Sequence, residues 1–108
     1  MAYAVYTTES FEDEISNLSD FDKNIIQKIY QRLKENPYSG DQIRYPFFRE
    51  KRIREKRIYY LVYDDLKMVL MVTIGGKKTQ KETIDKIAGY FKEYRKYAEK
   101  LSNSSYSS

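Results

Sequence analysis

The spacing of apolar residues along this 108-residue chain changes period several times, and each change marks an element. Tyr3 to Thr7 is short, aromatic and β-branched, which predicts a first strand. Thr7, Thr8 and Ser10 then offer N-cap oxygens, with Glu9, Glu12 and Asp13 suited to a positive helix N-terminus. Phe11, Ile15 and Leu18 recur at helical spacing, so a first helix is expected over about Ser10–Leu18. Ser19-Asp20 interrupts it. Phe21, Ile25, Ile26, Ile29, Tyr30 and Leu33 predict a longer amphipathic helix that stops before Asn36-Pro37, since a residue preceding proline is driven out of the helical region. Two helices this close in sequence form an α-hairpin.

Pro37-Tyr38-Ser39-Gly40-Asp41 reads as a loop. Beyond it the period drops to two: a second strand over Phe47–Ile53, a turn at Arg54-Glu55-Lys56, a third strand over Arg57–Tyr63, a turn over Asp64–Lys67 and a fourth strand over Met68–Ile74. The fourth is apolar on both alternating sets, which places it inside the sheet. Thr79 with Glu82 gives a capping-box pattern, and Ile84, Ile87, Ala88, Phe91, Tyr94, Ala98 and Leu101 form the stripe of a last helix. The order βααβββα predicts one α+β domain over residues 1–101. It has a small, largely antiparallel four-stranded sheet, the α-hairpin on one face and a C-terminal helix, with part of the other face accessible. Residues 102–108 are expected to be a polar, disordered tail.

Composition narrows the chemistry. Net charge is +4, a mild bias toward anionic partners. The chain has neither cysteine nor histidine, which removes thiolate nucleophiles, disulfides, sulfur-based zinc sites and the commonest general base. Any catalysis must run on Lys, Arg, Tyr, Glu, Asp, Ser or Thr. No cofactor or metal is implied; the Glu12-Asp13 and Asp64-Asp65 pairs suit a helix start and a turn. The first residues lack the basic and apolar regions of a signal peptide, and no apolar run approaches the ~18 residues of a spanning helix, so a cytoplasmic protein with no membrane partner is expected.

Positive charge is concentrated around the predicted hairpin. Arg49, Lys51, Arg52, Arg54, Lys56 and Arg57 precede or open its first strand, and Lys77 and Lys78 follow its second through Gly75-Gly76. Residues two apart share a strand face, so Arg57, Tyr59, Leu61 and Tyr63 point one way and Ile58, Tyr60 and Val62 the other. In an antiparallel hairpin Arg57 and the Gly75–Lys78 segment lie at the same end. A phosphodiester held there would take bidentate hydrogen bonds from Arg57 or Arg52 and a point charge from Lys77. The Gly-Gly-Lys-Lys run lacks the spacing of a nucleotide-binding P-loop. Charge runs are commonly solvated edges, and most of the 12 tyrosines are expected to serve the core.

The element order, the run Arg57-Ile-Tyr-Tyr-Leu-Val-Tyr-Asp-Asp, the apolar strand Met68–Ile74 and Gly75-Gly76-Lys77 together resemble the RelE/ParE superfamily of toxins from toxin–antitoxin systems. The similarity spans roughly residues 2–94. It implies a toxin that inhibits translation as a ribosome-dependent, metal-independent mRNA endoribonuclease, leaving a 2′,3′-cyclic phosphate, with a cognate antitoxin, the ribosome and mRNA as partners. The family's strand-opening arginine falls on Arg57, its arginine after the glycine on Lys77, and an upstream basic position on Arg52. Its two second-strand lysines fall on Phe48 and Glu50, or on Arg49 and Lys51 if the register shifts by one. Its tyrosine near the last helix falls on Thr83. Arg57, Lys77, Arg52 and one of Glu50 or Lys51 are the implied catalytic set, with Arg49, Arg54, Lys56 and Lys78 as further RNA contacts. A non-enzymatic alternative stays open: a gyrase-directed toxin of the ParE kind, or a degenerate binder of antitoxin or RNA.

Overall fold

Every residue from Arg57 to Tyr63 is buried in the computed structural model, which describes residues 2–106, with side chains through residue 103. That run is most of strand β4 (Lys56–Tyr63), the middle of a five-stranded sheet whose other strands are β1 (Ala4–Thr7), β2 (Asp41–Ile43), β3 (Tyr45–Ile53) and β5 (Met68–Gly76). The order is β1-β5-β4-β3-β2, with β1 parallel to β5 and every other pair antiparallel. Helices α1 (Glu9–Ser16) and α2 (Asp20–Glu35) follow β1, and α3 (Gln80–Gly89) and α4 (Phe91–Tyr106) follow β5.

The two residue sets of β4 each build a core. Ile58, Tyr60 and Val62 join Val69 and Met71 of β5 under Phe11, Ile26, Ile29 and Leu33 of the α-hairpin. Tyr59, Leu61 and Tyr63 join Met68, Leu70 and Val72 under Ile87 and Ala98 of the C-terminal helices. The predicted parity and α+β order therefore hold. Both faces are covered, however, where the sequence suggested that part of one stays accessible.

Helix starts follow the polar signals. The Thr8 side-chain oxygen accepts from the Phe11 N–H at 3.1 Å while its hydroxyl donates to the Val72 carbonyl at 2.6 Å, fixing α1 to β5. Ser19 caps α2 by accepting from the Asp22 N–H at 3.2 Å. The Thr79–Glu82 capping box does not form: Thr79 makes no side-chain cap bond, and its hydroxyl lies 3.5 Å from the Gly76 carbonyl instead. The single predicted last helix is two, broken at Tyr90 just after Gly89. Glycine weakens a helix interior, and a bend there lets both Ile87 and Ala98 reach the sheet. The last helix continues to Tyr106, into the segment expected as a tail; Ser107 and Ser108 lie outside the described residues. Strand β2 was not anticipated, because three residues are too short to show a period.

Two tertiary clasps close the end of the sheet away from the Gly-Gly-Lys-Lys segment. The Asp64 carboxylate accepts 2.7 Å hydrogen bonds from both Tyr3 and Tyr38, joining the chain start and the loop after α2 to the turn after β4. Arg95 of α4 makes a bidentate pair with Asp65 at 2.6 and 3.0 Å. The two tyrosine bonds hold the Asp64 carboxyl below its usual range. Burial and the bond to Asp64 push the Tyr38 phenol from its ordinary 10.0 up to about 12. A phenol whose folded value is raised contributes stability fully below pH 10.0 and loses it as pH climbs toward 12. Urea midpoints are expected to fall across that window, and Tyr38→Phe, which lacks the titrating hydroxyl, to show a shallower fall.

Gly40 sits where the loop crosses the sheet, its N–H donating to the buried Tyr60 hydroxyl at 2.9 Å. A Cβ there would lie 2.5 Å from the Glu50 carbonyl oxygen and 2.6 Å from the Tyr60 hydroxyl. Gly40→Ala is expected to cost about 2 kcal/mol in urea denaturation, the usual scale of overpacking against a rigid backbone.

Candidate functional site

Strand pairing decides which cations meet. Arg57 at the start of β4 lies opposite Arg52 of β3 on one side and Gly75 of β5 on the other. Glu50 lies opposite Tyr59, two residues along, so Arg52, Glu50, Arg57 and Tyr59 share one face. Two like charges placed directly across a ladder oppose sheet formation. The opposition is sharpest at Arg57, which is only 5 % exposed. Its Nε has no hydrogen-bond partner among the described residues, and the nearest counter-charge is the Glu50 carboxylate at 3.7 Å. A buried guanidinium this thinly compensated is destabilising by itself and is relieved by an anion.

The surroundings supply room for one. A cavity of about 720 Å³ is lined by Arg52, Arg54, Lys56, Arg57, Lys77 and Lys78, together with Glu55, Gly76 and Thr79. Arg52, Lys77 and Lys78 are exposed around the buried Arg57. Gly75 allows this closeness. A Cβ on it would lie 3.3 Å from the Tyr59 ring and 3.4 Å from the Thr83 hydroxyl, so the bare backbone lets β5 pass between them.

Glu50 is held from two sides. Its side chain is 17 % exposed, with Arg57 on one flank. On the other, the Gln80 amide at the first turn of α3 donates to its carboxylate at 3.2 Å. Tyr59 lies beneath, its hydroxyl buried and without a hydrogen-bond partner among the described residues. Burial, and secondarily the Glu50 carboxylate, push that phenol above its ordinary range, with Arg57 opposing. Sequence reasoning missed Gln80 and the proximity of Tyr59. Only the β3–β4–β5 register and the turn into α3 bring them to Glu50, and neither carries a local sequence signal.

The remaining candidates go elsewhere. Lys51, opposite Ile58, points to the α-hairpin face, where its ammonium lies 3.5 Å from the Ser39 carbonyl. Arg49 points the same way, donating to the Gly40 carbonyl at 3.1 Å and the Pro46 carbonyl at 2.7 Å, with Tyr38 beneath its guanidinium. Of Glu50 and Lys51, only Glu50 therefore lies on the Arg57 face. Arg54 and Lys56 occupy the cavity rim but are drawn to Asp22 of α2, at 2.9 and 3.7 Å. Thr83 is half-buried against Gly75.

This topology, with an α-hairpin on one face of a mixed sheet, is the fold of solved RelE toxins. No protein-family model and no curated protein sequence matches the chain. Among solved structures it is similar to a free-state mutant of the Escherichia coli toxin RelE, at TM-score 0.66 and 20 % identity over 81 % of this chain and 99 % of that one. The RelE–RelB complex of Pyrococcus horikoshii matches at TM-score 0.65 and 13 % identity, covering 71 % and 97 %. The RelBE2 toxin–antitoxin complex of Mycobacterium tuberculosis matches at TM-score 0.63 and 16 % identity, covering 71 % and 100 %.

The geometry around Arg57 has the charge and room to take an anion. Inorganic phosphate is expected to shift the NMR signals of the Arg57 side chain and of the Gly75–Lys78 amides, with affinity about tenfold weaker in Arg57→Ala. Lys51→Ala, on the opposite face, is expected to leave the titration unchanged.

Proposed function

We propose that the protein is the toxin of a toxin–antitoxin pair and acts as a ribosome-dependent mRNA endoribonuclease in the cytoplasm. One observation carries this reading: a buried, under-compensated Arg57 inside a cationic cavity, with the carboxylate of Glu50 3.7 Å from it. An arginine beside a carboxylate in a cationic cavity is the minimum equipment for transesterification of RNA. Similarity to solved RelE toxins, several of them in complex with an antitoxin, supports the toxin class and an antitoxin partner.

In this mechanism Glu50 takes the proton of a ribose 2′-hydroxyl as the 2′-oxygen bonds to the adjacent phosphorus. The P–O5′ bond then breaks, leaving a 2′,3′-cyclic phosphate on one product and a 5′-hydroxyl on the other. Arg57 stabilises the charge that builds on the phosphorane, commonly the largest single catalytic contribution. Its planar fork suits two phosphate oxygens at once, whereas Lys77 offers a point charge from the rim. Gln80 holds the Glu50 carboxylate in place by its 3.2 Å hydrogen bond. With no histidine in the chain, the proton for the departing 5′-oxygen comes in this reading from an ammonium lining the cavity, on Lys56, Lys77 or Lys78.

A second reading, a toxin-fold protein that binds without cutting, is favoured by one feature. The position that the resemblance assigns to a tyrosine is Thr83, half-buried against Gly75, with its hydroxyl 3.4 Å from where a Gly75 Cβ would lie.

In a reconstituted translation reaction, purified protein is expected to cut mRNA only when ribosomes are present. Arg57→Ala and Glu50→Gln are each expected to lower the cleavage rate by about 10²–10³-fold, the scale for losing one transition-state group. Intact message at high protein concentration would sink the nuclease and leave the binding-only reading standing.

A further inference from the structure

The most exposed large apolar side chain among the described residues is Phe21, at 62 %. It lies at the first turn of α2, where an amphipathic helix has no need of an outward aromatic. Above its ring, 5.0 Å from the centroid, stands the guanidinium of Arg54. Arg54 is also a wall residue of the cationic cavity, so one side chain belongs to both the aromatic stack and the anion site.

Arg54 is held there at some expense. It occupies the β3–β4 turn with φ 53°, in the left-handed region that L side chains adopt with strain and that turns normally give to glycine or asparagine. The buried carboxylate of Asp22, 7 % exposed at its side chain, anchors the guanidinium at 2.9 Å. The Arg54 side chain itself remains 58 % exposed, leaving an open planar cation at the edge of the cationic cavity. Folding stability alone would be served by glycine in the turn and a polar residue in place of Phe21.

Single-stranded RNA is recognised by splaying bases out and stacking them on aromatic rings or guanidinium planes, while cations hold the adjacent phosphates. We propose that Phe21 and Arg54 form a base-stacking subsite, which takes a nucleobase flanking the phosphate held at Arg57. Resting on the reading of the cavity as an RNA site, this assigns a role to the turn cation and to an aromatic that the cleavage mechanism leaves unused. Stacking of this kind tolerates every base, so the subsite adds affinity and strand placement without demanding one sequence. Asp22 acts as a positioning residue, its buried charge drawing Arg54 toward the ring by an ion pair.

The chain has no tryptophan, so Phe21→Trp installs a unique reporter at an exposed position. At low ionic strength, a short single-stranded RNA is expected to quench its emission as it binds, whereas inorganic polyphosphate is expected to bind without quenching. Phe21→Ala, and Arg54→Lys with its charge kept, are each expected to weaken RNA binding about tenfold with the salt dependence of affinity unchanged. RNA binding without quenching, equal quenching by polyphosphate, or unaltered affinity in Phe21→Ala would each overturn the subsite. So would failure of the RNA to bind at all. The cleavage reading is scored separately, by mRNA cutting on ribosomes.

Discussion

The site depends on a charge placed at the end of the most buried strand. β4 is covered on both faces from Ile58 to Tyr63, and Arg57 continues that burial one residue further, where the strand reaches the sheet rim. Stability would favour an apolar residue there. Instead the sheet holds a guanidinium whose Nε has no hydrogen-bond partner among the described residues, a carboxylate 3.7 Å away and a second arginine directly across the ladder. The cores on either side, eleven and ten buried residues, hold that geometry rigid. Rigidity matters because an anion binder gains most when its donors are already in place before the ligand arrives.

The same strand explains why both sheet faces are committed. A strand buried on two sides needs helices on two sides, and the chain supplies α1–α2 before the hairpin and α3–α4 after it. The break at Tyr90 follows from this demand: a straight helix leaving the Lys77-Lys78 bend would carry one stripe past the sheet, whereas the bend brings Ile87 and Ala98 both onto it. It follows that α3 begins beside the cavity. Gln80 in its first turn reaches Glu50, and Thr83 packs against Gly75. Core packing and the site's second wall therefore share one helix.

Most of the architecture was legible in the sequence because it rests on period. Strand parity separated Arg57, Tyr59, Leu61 and Tyr63 from Ile58, Tyr60 and Val62, and the two cores follow that division. Short or bent features left no such trace: β2 has three residues, and the helix break turns on Gly89 within an otherwise continuous stripe. The basic run was legible as charge but not as geometry. From Arg49 to Arg57 it reads as one patch, yet alternation sends Arg49 and Lys51 to the loop at Ser39 and Gly40, while Arg52 and Arg57 meet over the cavity. One residue of register separates a carboxylate on the Arg57 face from a loop brace, and only the pairing of β3 with β4 fixes it.

The cations that remain are not equivalent, and their differences suggest a division of labour. Arg57 is buried, so solvent and salt screen its charge least. Arg52, Lys77 and Lys78 are exposed, so solvent and salt weaken their pull. Arg54 and Lys56 are drawn toward the buried Asp22, which offsets part of their charge and fixes the β3–β4 turn to α2. The cavity thus carries exposed charge at the rim, paired charge at the turn and buried charge at the floor. That gradient runs from screened to unscreened electrostatics, so attraction strengthens as the ligand moves toward Arg57.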